Sequence, residues 1–326
     1  MASLVLDAPR LAGEPPEDRW RELDGWRAAA IIGVLIGHFV QVPGFNAGRF
    51  GVELFFVLSG LLMAQLLFVK KTPLRPFLLN RMSRVWPALF VFLAIMVCIF
   101  PIPSIHVLGA LTFTQNYASI NFGFVEVIDH LWSLSVEEWT YILLALLAVV
   151  ARHNLKLVVS LLSLLVVLMV INGSVQTIFG ADYYHAYWRT DVRAASILMG
   201  AVAFLLLREQ PVPSYVPVAT GVAATILNIN FVPDPVQYSV GTLFLAVSIA
   251  TLKQAPPSVL KVLRSRPLGL IAAMSFSLYL WQQPFYKQAD KYPPAVLFIA
   301  AVVTAAVSYH FVEKPSRSFL RRSYSR

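Results

Sequence analysis

The sequence predicts an all-α membrane protein, a polytopic helical bundle of about ten transmembrane helices with both termini cytoplasmic. Three observations predict it. Of the 326 residues, 58% are hydrophobic and only 13% are charged, where a soluble domain carries about 25% charged residues. Apolar runs recur at lengths near the roughly 17 to 25 residues that cross hydrocarbon. The basic residues gather in alternate loops, as the positive-inside rule requires.

The apolar runs lie near 27–43, 51–69, 85–102, 136–151, 154–172, 192–207, 215–231, 236–252, 267–285 and 294–312. Several are short, which a bundle tolerates because a buried helix need not match the bilayer by itself. Residues 104–118 read as a short interfacial or re-entrant helix. Pro101 and Pro103, Pro211 and Pro213, Pro233 and Pro235, Pro256-Pro257 and Pro293-Pro294 fall at run ends, where proline disrupts least. With the N-terminus inside, only Arg49, Arg189, Arg193, Lys287 and Lys291 of the 26 basic residues fall outside. One span more or fewer scrambles that separation.

Residues 1–22 contain Glu14-Pro15-Pro16-Glu17-Asp18-Arg19 and lack the apolar centre of a signal peptide. They are expected to form a cytoplasmic tail. Residues 23–315 then make one membrane domain, and 316–326 a basic cytoplasmic tail. The net charge of +9 sits between apolar runs; a nucleic-acid binder shows basic runs on a polar background. The single cysteine, Cys98, allows no intrachain disulfide. No His, Cys and carboxylate cluster has metal-ligand spacing, and no glycine-rich phosphate loop appears.

An ionisable group inside a membrane span is costly, so it faces the bundle interior and usually has a task. The stretch Leu23 to Phe39 carries two, Arg27 and His38. Eleven residues bring them onto one helix face, about 16 Å apart along the axis. His38 can take and return a proton near neutral pH; the bland alternative is a histidine bonded to a neighbouring helix. The remaining histidines, His106, His130, His153, His185 and His310, fall in loops or at span ends, where solvated or interfacial roles are expected. Glu53 enters the second span from the outside, either to orient the His38 imidazole or as a carboxylate favoured at a helix start. Ser133 or Ser135 followed by Glu137 and Glu138 reads as a capped helix start, with Glu137 turned toward His38. Arg81 and Arg84 share a face at an inner helix end, suiting a phosphate or simple positive-inside anchoring. Arg193 opens the sixth span, facing the cavity or the interface. Gln282 and Gln283 are placed either to hydrogen-bond a hydroxylated substrate or to join helices. Trp26, Trp86, Trp132, Trp139 and Trp281 suit sugar rings or an interfacial belt.

These strings, in order, resemble the acyltransferase-3 family of integral membrane acyltransferases. Leu23-Asp-Gly-Trp-Arg27 with His38-Phe39 is similar to its opening motif, and Gly51 to Gly60 to its second. Arg81-Met-Ser-Arg84 with Pro87 resembles its arginine pair, and Leu131-Trp-Ser-Leu-Ser-Val-Glu-Glu138 with Tyr141 its most recognisable string. Ser275 to Pro284 and Tyr309 to Pro315 resemble its closing motifs. The resemblance implies an enzyme of the bacterial cytoplasmic (inner) membrane with no permanently bound cofactor. It implies His38 as the essential histidine, supported by Arg27 and Glu137, with Arg81 and Arg84 holding acyl-CoA as the donor. The acceptor is expected to be a hydroxyl of a surface or exported carbohydrate, at the membrane lipid surface. A macrolide or other glycosylated metabolite is the alternative acceptor, and a non-catalytic glycolipid transporter the alternative function. Three positions depart from the family pattern: Glu53 for an aspartate, Ala195 for an aspartate, and Gln282 or Gln283 for a histidine. The last two fall on the acceptor side, where Arg193, Trp132, Gln282 and Gln283 are the expected contacts.

Overall fold

The computed structural model describes residues 20–318. Most of the expected N-terminal tail and the end of the basic C-terminal tail lie outside the described residues. Among these the structure is helical, and the one β-bridge joins Phe45 to Ile229. In chain order the helices are α1 (Arg21–Phe39), α2 (Ala47–Ala64), α3 (Leu74–Ile99), α4 (Ser104–Leu111), α5 (Gln115–Phe122), α6 (Leu131–Ala151), α7 (Leu155–Ile178) and α8 (Tyr183–Tyr187). There follow α9 (Thr190–Leu207), α10 (Val216–Leu227), α11 (Asp234–Val236), α12 (Thr242–Ala250), α13 (Pro257–Leu263), α14 (Arg266–Tyr286) and α15 (Pro294–Ser308).

Local chemistry sets several of these ends. The Asn46 side chain accepts from the Arg49 amide at 2.9 Å and starts α2; Asn154 does the same for α7 through Leu157 at 3.0 Å. Prolines open α11, α13, α14 and α15, where a missing N–H costs nothing. Wide π-helical turns extend α2 through Gln65–Val69 and α15 through Tyr309–Glu313.

A helix occupies each of the ten predicted runs. Six of the resulting helical stretches are long and apolar enough to cross a membrane: Ala47–Val69, Leu74–Ile99, Leu131–Ala151, Leu155–Ile178, Thr190–Leu207 and Pro294–Ser318. The other four are more polar or shorter. Residues Glu22, Asp24 and Arg27 sit in the first turns of α1, α10 has 12 residues, and a π turn at Gln237–Gly241 breaks the 236–252 run. The expected helix at 104–118 is two short helices, α4 and α5.

Two starts differ from expectation in ways that matter. α3 begins at Leu74 rather than near 85, so Arg81 and Arg84 lie within the helix. α6 begins at Leu131 rather than 136. Ser135 therefore bonds back to the Leu131 carbonyl, and neither serine caps the helix. Glu137 is carried about 9 Å into the bundle from the helix start.

α9 is central, with 72% of its apolar stretch buried, and α7 peripheral, with 11%. Leu164, Val167, Leu168 and Ile171 of α7 are exposed large apolar side chains, a surface suited to lipid. Two glycine contacts set the central packing. A Cβ on Gly37 of α1 would lie 2.1 Å from the Gly48 amide nitrogen of α2, and one on Gly60 of α2 would lie 1.7 Å from the Ile197 carbonyl oxygen of α9. The backbones touch there, as small residues permit.

Gly60→Leu therefore forces α2 from α9 and is expected to lower the melting temperature in detergent, with a cost of about 1–3 kcal/mol or more. Gly269 of α14 has open space where its Cβ would go. Gly269→Ala should leave the melting temperature unchanged or raise it by the equivalent of about 0.5–1 kcal/mol.

Candidate active site

Two cavities flank the α1–α2 contact. The first is lined by Arg27 of α1, by Arg81 and Arg84 of α3, by Glu137 and Tyr141 of α6, and by apolar residues of α2. The second is lined by His38, Gly48, Arg49, His130, Trp132, the 183–188 segment and the C-terminal end of α14. Arg27 and His38, on one face of α1, thus open into different cavities. Val52 and Tyr279 line both. Ser133 is 2.6 Å from the Tyr279 hydroxyl, which also donates to the His130 carbonyl, so the tyrosine is held in that wall.

The arginine-lined cavity contains a dense polar network. Arg81 donates from Nε to Glu138 at 2.9 Å and from Nη2 to Glu137 at 3.0 Å, with its guanidinium 3.6 Å from the Tyr141 ring centre. Glu137 also accepts from Ser59 at 3.0 Å and from Tyr141 at 3.2 Å. Arg27 lies 3.6 Å from Asp24. Glu137 therefore does not join His38; the early start of α6 sets it beside the arginines.

Glu53 does not reach His38 either. It is 1% exposed and pairs with Arg193, which is wholly buried. Tyr187 and Thr242 donate to its two oxygens at 3.3 and 3.2 Å. The Arg193 guanidinium also lies 4.4 Å from the Tyr187 ring centre. Arg193 lines neither cavity, because a buried guanidinium needs a carboxylate and Glu53 is that partner.

His38 is answered by a different residue. Its Nδ1 lies 2.5 Å from Gln282 Oε1, and Tyr286 stacks on the ring at 4.2 Å. Gln283, one position on, points its amide to the Glu126 carbonyl at 2.6 Å and lines the same cavity. Tyr279, Gln282, Gln283 and Tyr286 follow helical spacing, so one face of α14 supplies them all.

Of the five tryptophans singled out, only Trp132 lines the His38 cavity. Trp26 and Trp281 are buried packing residues, Trp86 packs on Phe90 and Phe113, and Trp139 is exposed and donates to the Phe113 carbonyl. Trp132 stacks on Trp188 at 5.6 Å, and Tyr183 on Tyr187 at 4.9 Å. Arg49, ion-paired with Asp234, lies 4.5 Å from the Tyr187 ring centre. The aromatic density of Tyr183-Tyr184-His185-Ala186-Tyr187-Trp188 was the available sequence signal for this wall. Arg49 carried none beyond its charge.

Two histidines expected in solvated positions are buried. His106 is bonded by Gln115 at 3.0 Å. His130 lines the second cavity, edge-on to Phe92. In the loop beside it, burial holds the Asp129 carboxyl above the usual range, opposed by bonds from Ser119 and the Val125 amide.

The bundle of apolar helices sets a histidine and an arginine cluster in adjoining cavities, an arrangement suited to group transfer. The chain belongs to the acyltransferase-3 family: the model described as an acyltransferase domain matches residues 20–313. It is 30% identical to the O-acetyltransferase OatA of Staphylococcus aureus, over 90% of this chain and 57% of that protein. It is 29% identical to a putative peptidoglycan O-acetyltransferase, YrhL, of Bacillus subtilis, over 93% of this chain and 56% of the relative. With the peptidoglycan O-acetyltransferase OatA of Listeria monocytogenes it shares 27%, over 90% and 55%. The chain thus spans just over half the length of these relatives. No solved structure matches.

Glu53→Gln leaves Arg193 as an uncompensated buried charge and is expected to cost about 3–5 kcal/mol of stability. The check is thermal unfolding in detergent, where a melting temperature equal to that of the unaltered protein contradicts the pairing.

Proposed function

We propose that this chain is an O-acetyltransferase of the bacterial cytoplasmic membrane, moving an acetyl group from cytoplasmic acetyl-CoA to a hydroxyl of a cell-wall or exported carbohydrate. The observation that carries this reading is the pair of cavities sharing Val52 and Tyr279, one rich in arginine and one containing His38. The names of the relatives favour a cell-wall glycan over a macrolide as acceptor. Ten helices cross the membrane in this reading, with both termini cytoplasmic, and the positive-inside pattern then puts the arginine cavity on the cytoplasmic side.

The donor's phosphates bind Arg27 and Arg84, with Arg81 held in place by Glu137 and Glu138; guanidinium forks match phosphate geometry. The pantetheine arm extends along the apolar wall of α2, and the thioester reaches the Val52–Tyr279 boundary. The acceptor sugar enters the second cavity against the aromatic wall. His38 takes the hydroxyl proton as the oxygen attacks the thioester carbonyl. The new C–O bond forms, the C–S bond breaks, and the departing thiolate receives the proton from His38. The sugar leaves as an ester and the donor as free CoA.

His38→Ala in the purified protein should lower transfer from labelled acetyl-CoA to glycan fragments by about 10²–10⁴-fold. Activity that survives intact removes His38 from the chemistry. Arg84→Ala should weaken acetyl-CoA binding at least tenfold by calorimetry, with labelled glycan binding unaffected. Unchanged donor affinity contradicts the phosphate assignment.

A further inference from the structure

We infer that Gln282 is a positioning residue that fixes the protonation pattern of His38, holding the ring proton on Nδ1 and leaving Nε2 as the bare, proton-accepting nitrogen in the second cavity. The inference rests on the proposed role of His38 as base and assigns its partner. It starts from hydrogen-bond valence. A carboxamide oxygen only accepts, so the nitrogen 2.5 Å from Gln282 Oε1 must carry the hydrogen. The orientation of the amide is set independently. Gln282 Nε2 points to the Tyr279 carbonyl at 3.4 Å, one turn back in α14, and that oxygen can only accept. The amide oxygen is thereby turned to His38. Gln282 is wholly buried, so water does not compete for the bond.

The other ring nitrogen faces Gly48 of α2, at the edge of the second cavity. A Cβ placed on Gly48 would lie 3.5 Å from His38 Nε2 and 3.6 Å from Cδ2. Both residues line the second cavity. Tyr286 covers one ring face at 4.2 Å and resists ring rotation. The bare nitrogen is thus presented beside Gly48, and a hydroxyl bound in the cavity can approach it there.

The partner's neutrality has a chemical consequence. A carboxylate at this position would stabilise the imidazolium formed on proton abstraction; a carboxamide orients the ring without that full charge. The charged and titratable groups lining the same cavity are Tyr279 and Tyr286 from α14, Lys287 just after it, and Arg49 from α2. Glu126, Asp129 and His130 come from the loop before α6, and Tyr183, Tyr184 and Tyr187 from the 183–188 segment. Glu126 is occupied by Lys287, and Asp129 by Ser119 and the Val125 amide. The protonated state of His38 is thus met by an uncharged acceptor, and its proton is left to pass to the departing thiolate.

The test uses the full chain in lipid nanodiscs with ¹⁵N-labelled histidine, His38→Ala identifying the resonance. Neutral His38 should show its proton on Nδ1. Gln282→Met, similar in size but unable to accept strongly, should move it toward Nε2 and reduce kcat about 10²-fold with KM for acetyl-CoA unchanged. Gln282→Glu keeps an acceptor and adds charge. It should retain the Nδ1 proton and most of kcat at high pH, while raising the His38 pKa. The base works only when neutral, so activity should then fail at a higher pH as the solution is acidified.

A proton on Nε2 in the unaltered protein overturns the assignment. So does Gln282→Met with unchanged tautomer and kcat, or Gln282→Glu with an unmoved acid limb. If Gln282→Met does not fold, the resonance of the unaltered protein and the Gln282→Glu profile still decide. Activity that survives His38→Ala defeats the base reading alone, since the tautomer is read from the ring itself.

Discussion

The backbone contact between Gly37 and Gly48 is the constraint on which both cavities depend. It presses α1 against α2 where a side chain on Gly37 would separate them. α1 carries Arg27 and His38; α2 carries Gly48, Val52 and Ser59. The same contact thus sets the arginine of one cavity and the histidine of the other against their shared wall. A second close approach, between Gly60 and α9, extends the arrangement inward and brings Arg193 to Glu53.

Inside hydrocarbon a charged group needs a partner of matching chemistry, and the bundle supplies one in each place. Glu53 and Arg193 neutralise each other away from both cavities. Glu137 and Glu138 hold Arg81 in the arginine-lined cavity. Arg49 pairs with Asp234 beside the aromatic wall. His38, the proposed base, is met by an uncharged amide. The strong pairs maintain the architecture, and the weaker partner is found at the site of the proposed proton transfer.

Much of this was legible in the sequence. Apolar runs located the helices, because burial and lipid both demand long apolar stretches. The eleven-residue spacing put Arg27 and His38 on one face. What was illegible depended on helix starts and on contacts between distant segments. A shift of five residues at the start of α6 moved Glu137 from the histidine to the arginines. Glu53 and Arg193 each looked like a site residue because both are charged and apolar-flanked; only packing shows that they satisfy each other. Gln282 looked like substrate contact or helix glue, and its 244-residue separation from His38 hid the pairing. Six helical stretches satisfy the length and hydropathy expected of a membrane span; α10 and α12 are shorter, and α1 and α14 carry the polar residues that line the cavities.

The wall formed by Val52 and Tyr279 bears on a different property, the electrical insulation of the membrane. An energised bilayer cannot hold an open aqueous conduit without discharging its ion gradients. In the proposed reaction the valine and the tyrosine shared by the two cavities form the boundary between the two reactants. Only the few atoms of an acyl group need to pass that boundary. On the proposed reading the nucleotide of the donor stays on one side and the sugar on the other, which suits a bilayer that has to keep its resistance.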